Sequence, residues 1–148
     1  MIWSNRFIGI PYDDFGRSRT GCDCWGLACI IYREELGIRL PEYLGGYSST
    51  DEHGEIAALI SGAQASPLWV PVDGPATAFD LALFRRGRWS THIGIVIHHG
   101  FMIHMVADDC AKVQTYLDGP YKHRFQGHYR HVSKAAERPA QIISGVRR

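Results

Sequence analysis

Apolar residues follow two different spacings along the chain, helical in the first third and alternating in the middle. They recur at helical intervals over 27–31, and Thr20 and Asp23 before this run have the spacing of a capping box. Gly37 after the run is a typical helix stop. The pattern predicts a helix about 13 residues long, with Cys24 in its first turn.

A second, shorter helix is predicted over 51–61, after which the period of the apolar positions changes to two. The strand candidates are 79–84, 92–98, 101–106 and 112–116, with 128–131 as an additional candidate. Helices therefore come first and an antiparallel sheet follows, in place of alternating strands and helices. This order predicts an α+β fold with N-terminal helices packed on an antiparallel β-sheet.

Composition indicates the size of the protein and argues against one class of partner. A chain of 148 residues with 45% hydrophobic residues has the size of one domain with an ordinary core. Its 16 Lys and Arg against 15 Asp and Glu leave a charge of +1, which argues against nucleic-acid recognition. The charge is uneven, because residues 122–148 carry seven basic residues and one acid. The basic tail, 133–148, is either a solvated terminus or a docking segment for an acidic partner.

Targeting patterns set the expected location. The N-terminus lacks a basic segment followed by an apolar stretch and a small-residue cleavage site, so we expect no secretory signal peptide. Apolar stretches such as 27–32 are far shorter than the roughly 20 residues that span a bilayer, so we expect no membrane insertion. Synthesis in the reducing bacterial cytoplasm would keep the four cysteines as thiols.

Cys24 is the first candidate for chemistry. The N–H groups at a helix start stabilise a thiolate and suit an oxyanion, and the glycines over 20–26 let a substrate backbone come close. A small packing residue is the alternative interpretation of this cysteine. The C-x-C-x4-C spacing of Cys22, Cys24 and Cys29 matches no common zinc or iron–sulfur pattern, so we expect neither a metal nor a cofactor.

His92 and His104 are the candidate partners of the thiol. They lie in consecutive predicted strands, 12 residues apart. An even separation places both side chains on one face of a hairpin if its loop has an odd number of residues. One imidazole would then take the thiol proton while the other fixes its tautomer and orientation, as in a cysteine hydrolase. Without the cysteine, both would be interpreted as ordinary strand or surface residues.

Five short motifs occur together in this chain. They are Pro11-Tyr12, Gly21-Cys22-Asp23-Cys24-Trp25-Gly26-Leu27, Leu40-Pro41, Thr91-His92-Ile93-Gly94-Ile95 and Phe101-Met102-Ile103-His104. In this order they resemble the motifs of the NlpC-type cell-wall peptidases, over about residues 8–132. The resemblance implies a papain-like α+β fold, in which a helix-borne cysteine packs against an antiparallel sheet, and a single peptidase domain over 1–132.

The resemblance also implies a role for individual residues. The family's nucleophile corresponds to Cys24, its general base to His92 and its third, orienting residue to His104. Tyr12 and Asp23 correspond to residues that position the substrate. The implied reaction is that of a cysteine endopeptidase on the peptidoglycan stem peptide, cut between D-glutamate and the diamino acid.

The residue after the nucleophile departs from the family pattern. Most members have a small serine there, whereas this chain has Trp25. We place this indole with the substrate-binding residues and expect it to reshape or narrow the groove. The exact bond that is cleaved therefore depends on it.

A short single domain without an export signal resembles the tail-associated peptidases of phages and gene-transfer particles. This implies a virion-like tail as the carrier, tail hub or tail-tip proteins as partners, and action in the periplasm. Two hypotheses follow. One is a thiol hydrolase that opens peptidoglycan locally, and the other is a tail-tip structural or assembly protein that keeps the fold with little activity because Trp25 blocks the groove.

Overall fold

The predicted order of helix and sheet is present in the computed structural model, which describes residues 2–42, 68–86 and 90–135. Within these ranges an N-terminal helical region packs on a large antiparallel sheet, so the predicted α+β class is confirmed. The predicted helix at 51–61 and most of the basic tail lie outside the described residues, and the domain boundary at residue 132 stays a prediction. Among the described residues, every helix is too short or too polar to span a bilayer.

The elements of the described residues begin with short pieces and end with longer strands. In chain order they are a 3-10 helix (Trp3–Arg6), β1 (Arg17–Ser18), β2 (Gly21–Cys22), α1 (Cys24–Ile31), a π-helical segment (Tyr32–Leu36), β3 (Trp69–Pro71), β4 (Leu81–Arg86), β5 (Ser90–His98), β6 (Phe101–Met105), β7 (Ala111–Thr115), a second 3-10 helix (Gly119–Arg124) and β8 (Phe125–His131). The five predicted strands correspond to β4 through β8. Strands β1, β2 and β3 were not predicted, because two or three residues are too few to show a period.

Helix α1 begins about one turn later than the capping pattern indicates. Asp23, rather than Thr20, is the N-cap, and its carboxylate accepts a hydrogen bond from the N–H of Gly26 at 2.7 Å. Thr20 instead belongs to the tight turn that joins β1 to β2. At the other end, the π-helical segment continues α1 to Gly37, whose φ of 67° is the left-handed conformation that glycine favours. The predicted stop at Gly37 and the place of Cys24 in the first turn are confirmed.

The sheet has the strand order β3-β8-β4-β5-β6-β7, and neighbouring strands are antiparallel. Side chains alternate between its two faces. The first face is aliphatic and packs against α1, with Leu81, Leu83, Ile93, Ile95, Ile103 and Met105 among its buried residues. The second face carries a separate cluster that includes Ala82, Phe84, Val96, Met102 and Tyr116. Both faces of β5 and β6 are thus close-packed, which gives the side chains on these strands fixed positions.

The segment before β1 ties the start of α1 to the edge of the sheet. Isolated bridges join Pro11 to Cys110, just before β7, and Tyr12 to Cys22, just before α1. The N–H of Tyr12 donates to the carbonyl of Asp109 at 2.9 Å, and the N–H of Cys22 donates to that of Pro11 at 3.0 Å. These bonds hold the loop that leads into α1 against the connection between β6 and β7.

Candidate active site

The thiol of Cys24 lies at the first residue of α1, where backbone N–H groups have no partner within the helix. The side chain is nearly buried. The partial positive charge at a helix start stabilises a thiolate there. Helix α1 packs against β5 and β6, the two strands that carry the candidate histidines. The catalytic role of Cys24 stays a prediction that this position favours.

The cysteines on either side of Cys24 have different chemistry. Burial raises the pKa of the Cys22 thiol to about 12, and the carboxylate of Asp23 adds to the shift. Burial likewise raises the pKa of Cys29 to about 12. Both thiols therefore stay protonated at neutral pH and act as core residues. Among the described residues, no group of three His, Cys, Asp or Glu side chains could hold a metal ion.

Asp23 uses its carboxylate to build the start of the helix. One oxygen accepts hydrogen bonds from the N–H of Gly26 at 2.7 Å and from Arg17 at 2.8 Å, and the other accepts from the N–H of Phe15 at 3.1 Å. Asp23 is only 1% exposed. In this position it is a cap and an anchor for the preceding loop. Its role in substrate positioning stays a prediction, and these contacts do not add to it.

Arg17 belongs to this site although the sequence patterns did not single it out. Its guanidinium donates to the carboxylate of Asp23 and to the carbonyl of Gly16, each at 2.8 Å, and to the carbonyl of Glu42 at 2.9 Å. The side chains of Arg17 and Asp23 are 7% and 1% exposed. A buried carboxylate needs a nearby cation, and this need is the signal that could have identified Arg17 in advance.

Gly26, two residues after Cys24, allows this close packing. A Cβ at this position would lie 2.1 Å from the carbonyl oxygen of Gly16 and 2.9 Å from the Cβ of Cys22. Only glycine therefore lets the loop before β1 approach the helix. The glycine of the Cys24-Trp25-Gly26 run thus has a packing explanation that is independent of any reaction.

His92 and His104 are in direct contact. The Nε2 atom of His92 lies 2.8 Å from the Nδ1 atom of His104, and each residue is 1% exposed. One of these nitrogens must donate and the other accept, so a single proton lies between them. The ring of Phe84 packs on His92 and that of Tyr121 on His104, with ring centroids 6.1 and 5.2 Å apart. The predicted meeting of the two imidazoles is present, and their catalytic roles stay predictions.

The hairpin between the two histidines differs from the expected one in its loop. Strands β5 and β6 pair with Val96 opposite Met102 and His98 opposite Phe101, so the turn itself has two residues, an even number. A β-bulge between Val96 and His98 adds one residue to β5. Because of this extra residue, side chains alternate between the two faces as they would with a loop of odd length. Both imidazoles therefore still project from one face of the sheet.

The two remaining predicted site residues lie in different environments. Trp25 is 1% exposed, its indole N–H donates to the carbonyl of Pro41 at 2.7 Å, and its ring packs edge to face with Trp69. The indole therefore lies in the core, and these contacts do not add to its predicted substrate-binding role, which stays a prediction. Tyr12 is partly exposed, and its hydroxyl donates to Asp14 at 3.3 Å. Its substrate-positioning role stays a prediction.

Solved structures similar to this chain carry the same fold. An NlpC/P60 family protein from Bacillus cereus shares 29% identity and a TM-score of 0.60, over 86% of this chain and 37% of that protein. A lipoprotein-like NLP/P60 family protein from Staphylococcus aureus shares 23% identity and a TM-score of 0.56, over 86% and 38%. The NlpC/p60 domain of the peptidoglycan hydrolase SagA shares 24% identity and a TM-score of 0.50, over 76% and 82%. The last two similarities show the fold alone.

A curated relative and a family model extend the comparison. The chain is 25% identical over 127 residues to the murein DD-endopeptidase MepS/murein LD-carboxypeptidase of Escherichia coli K12. The match covers 86% of this chain and 58% of that protein, so the chain spans little more than half the length of the relative. The model of the NlpC/P60 family matches residues 9–130. Because this match covers most of the sequence, the chain belongs to the NlpC/P60 family.

Proposed function

We propose that this chain is a cysteine peptidase that hydrolyses peptidoglycan stem peptides, with Cys24 as nucleophile, His92 as general base and His104 as the orienting residue. The observation that carries the proposal is the buried contact of the two imidazoles at 2.8 Å, on strands that pack against the helix beginning with Cys24. Family membership supports the reaction class. The name of the Escherichia coli relative, a murein endopeptidase, supports the substrate.

The contact between the rings determines the tautomers that this role requires. If His92 takes the thiol proton on Nδ1, its Nε2 carries an N–H that donates to Nδ1 of His104. His104 must then carry its own proton on Nε2. When His92 becomes an imidazolium, His104 accepts the same hydrogen bond and stabilises the charge.

The reaction proceeds in two stages. The thiolate of Cys24 attacks the carbonyl carbon of the scissile amide, and N–H groups at the start of α1 stabilise the oxyanion that forms. The imidazolium of His92 gives its proton to the leaving amine as the C–N bond breaks, which leaves a thioester on Cys24. Water, deprotonated by His92, then hydrolyses the thioester and the thiol is restored.

The finer parts of the proposal concern the bond and the setting. The proposed bond lies between D-glutamate and the diamino acid. The proposed setting is a phage-like tail that carries the protein, made in the bacterial cytoplasm, to the periplasm, with the basic tail 133–148 bound to a hub or tail-tip protein. The resemblance of the motifs around Cys24 and His92 supports the bond, whereas the setting continues the expectation stated for the sequence.

The alternative function, an inactive tail-tip protein, depends on an indole that blocks the groove. Trp25 lies in the core beside Trp69, with its N–H bonded to the carbonyl of Pro41. This position gives no support to the blocked groove. The active peptidase is therefore the better-supported proposal.

Purified protein mixed with sacculi under reducing conditions tests the proposal, with released peptides identified by mass spectrometry. Wild type should release peptides whose new N-terminus is the diamino acid. Cys24→Ala should lower the rate about a thousandfold or more, because the nucleophile is gone. Cys110→Ala is the matched control, since it removes a partly exposed free thiol outside the proposed triad, and it should keep the activity. Absence of product from wild type, or equal release by Cys24→Ala, would contradict the proposal.

A further inference from the structure

We infer that Arg17 is a positioning residue for the nucleophile: it neutralises the carboxylate beside Cys24 and holds the loop that leads into α1. The inference rests on the proposed role of Cys24 and assigns a function to a residue outside the motif. Two independent features of Arg17 support it, its geometry and its charge.

The geometry of Arg17 joins three segments of the chain. Its Nη1 atom donates to the carbonyl of Gly16 and to Oδ1 of Asp23, each at 2.8 Å. Its Nη2 and Nε atoms donate to the carbonyl of Glu42, at 2.9 and 3.3 Å. A planar guanidinium held at several points has little freedom to rotate. Arg17 thereby fixes the loop before β1 and the chain after Pro41 relative to the cap of α1.

The charge of Arg17 opposes that of Asp23 at the start of the helix. Asp23 is adjacent to Cys24 in the chain and nearly buried, so its negative charge disfavours a thiolate next to it. Cys22, on the other side of Asp23, shows the same opposition. Burial raises the pKa of Cys22, the carboxylate of Asp23 raises it further, and the guanidinium of Arg17 lowers it. We expect the same pair to act in the same opposite directions on Cys24.

Other titratable groups lie around the same loop. From the loop before β1, Asp13 also raises the pKa of Cys22. Near Cys29 the corresponding groups are Glu42, which raises its pKa, and Arg33, which lowers it. On the strands packed against α1 they are His92 and His104. The experiment below leaves all of these unchanged, so differences between variants report on the Arg17–Asp23 pair.

The rate of Cys24 alkylation by iodoacetamide, measured from pH 5 to pH 9 and followed by peptide mass mapping, tests the inference. All variants carry Cys110→Ser, so that the partly exposed thiol does not consume reagent. Arg17→Met should raise the apparent pKa of Cys24 by about one unit, which moves the alkylation profile up by about one pH unit and lowers the rate about tenfold at pH values below the wild-type pKa. Arg17→Lys keeps the charge and should recover most of the rate. Arg19→Met, which removes an exposed arginine paired with Glu34, is the matched control and should change nothing.

A second comparison does not depend on the folding of Arg17→Met. Asp23→Asn keeps an N-cap oxygen and removes the negative charge, so the apparent pKa of Cys24 should fall below that of wild type. Adding Arg17→Met to Asp23→Asn should raise it again by about one unit. An unchanged apparent pKa in folded Arg17→Met, or equal values for Asp23→Asn and the double variant, would overturn the inference.

Alkylation and hydrolysis separate this inference from the proposed function. Wild-type protein that fails to cleave sacculi would refute the proposed function, while the alkylation profiles would still report whether Arg17 acts on the Cys24 thiol. Active wild type with identical alkylation profiles in all variants would refute the inference alone.

Discussion

Two buried pairs of hydrogen-bonded side chains can be compared directly. In one, Nε2 of His92 lies 2.8 Å from Nδ1 of His104, and in the other the hydroxyl of Tyr116 lies 2.6 Å from Nε2 of His128. The partners of each pair are 12 residues apart in the chain, and all four residues are buried. The pairs share spacing, burial and a hydrogen bond. They differ in that one partner is an imidazole in the first pair and a phenol in the second.

The partner determines whether a proton can move. Burial raises the pKa of Tyr116, so its hydroxyl keeps the proton and we assign it as the donor to His128. Burial, helped by the nearby His99, lowers the pKa of His128 to about 4, so this ring stays neutral at physiological pH. The pair of His92 and His104 can instead place the shared proton on either ring. The phenol thus keeps its histidine partner in one protonation state, which suits a structural pair. A second imidazole permits transfer of the shared proton, which suits a general base.

Replacing one histidine in each pair should give the largest contrast. His92→Gln should lower kcat/KM for a soluble stem peptide about a thousandfold, because glutamine cannot take the thiol proton. His128→Gln, the matched control, should stay within about threefold of wild type, because its pair does not exchange protons with the substrate. Steady-state kinetics measures both variants. Equal losses in the two would contradict the division into a catalytic and a structural pair.

The sequence was sufficient for the features that depend on local spacing. The helical interval of the apolar residues placed Cys24 in the first turn of α1, and the strand periods located β4 to β8. Family motifs then connected Cys24 with His92 and His104. The contact of the two imidazoles was predicted for a loop with an odd number of residues, whereas the structure has a two-residue turn with a bulge. Both arrangements place the side chains on one face, because the face depends on the total number of residues between the paired positions.

Features that depend on distant contacts could not be obtained from spacing. Arg17 reaches Asp23 and Glu42 only when the loop before β1 folds onto the cap of α1. Trp25 was expected in a groove because it follows the nucleophile, but in a helix the adjacent side chain points about 100° away, toward the core and Trp69. Tyr116 directly follows β7 and His128 lies in β8, and these two strands are not neighbours in the sheet order, so their pairing has no local signal.

A smaller effect is expected when the phenol pair is broken at its donor. Tyr116→Phe leaves the buried Nε2 atom of His128 without the hydroxyl that donates to it. The variant should lower the free energy of unfolding by about 1–3 kcal/mol and leave kcat/KM unchanged. Tyr121→Phe is the matched control, because the contacts described for Tyr121 are made by its ring, and should change stability by about 0.5 kcal/mol or less. Urea denaturation measures both. A Tyr116→Phe protein as stable as wild type would mean that the hydroxyl does not fix the pair.

The smallest effect concerns the dependence of stability on pH. The pKa of His128 falls from 6.5 in the unfolded chain to about 4 in the folded one, so between these values the unfolded state binds more protons. Stability from His128 is therefore complete above pH 6.5 and is lost as the pH falls toward 4. Urea denaturation at about pH 4.5 and about pH 6.5 measures how much unfolding free energy each protein loses on acidification. This loss should be about 1–2 kcal/mol larger in wild type than in His128→Gln, after allowance for solvent screening of the ring. Since groups common to both proteins cancel, parallel pH curves for the two would contradict a neutral, phenol-bound His128.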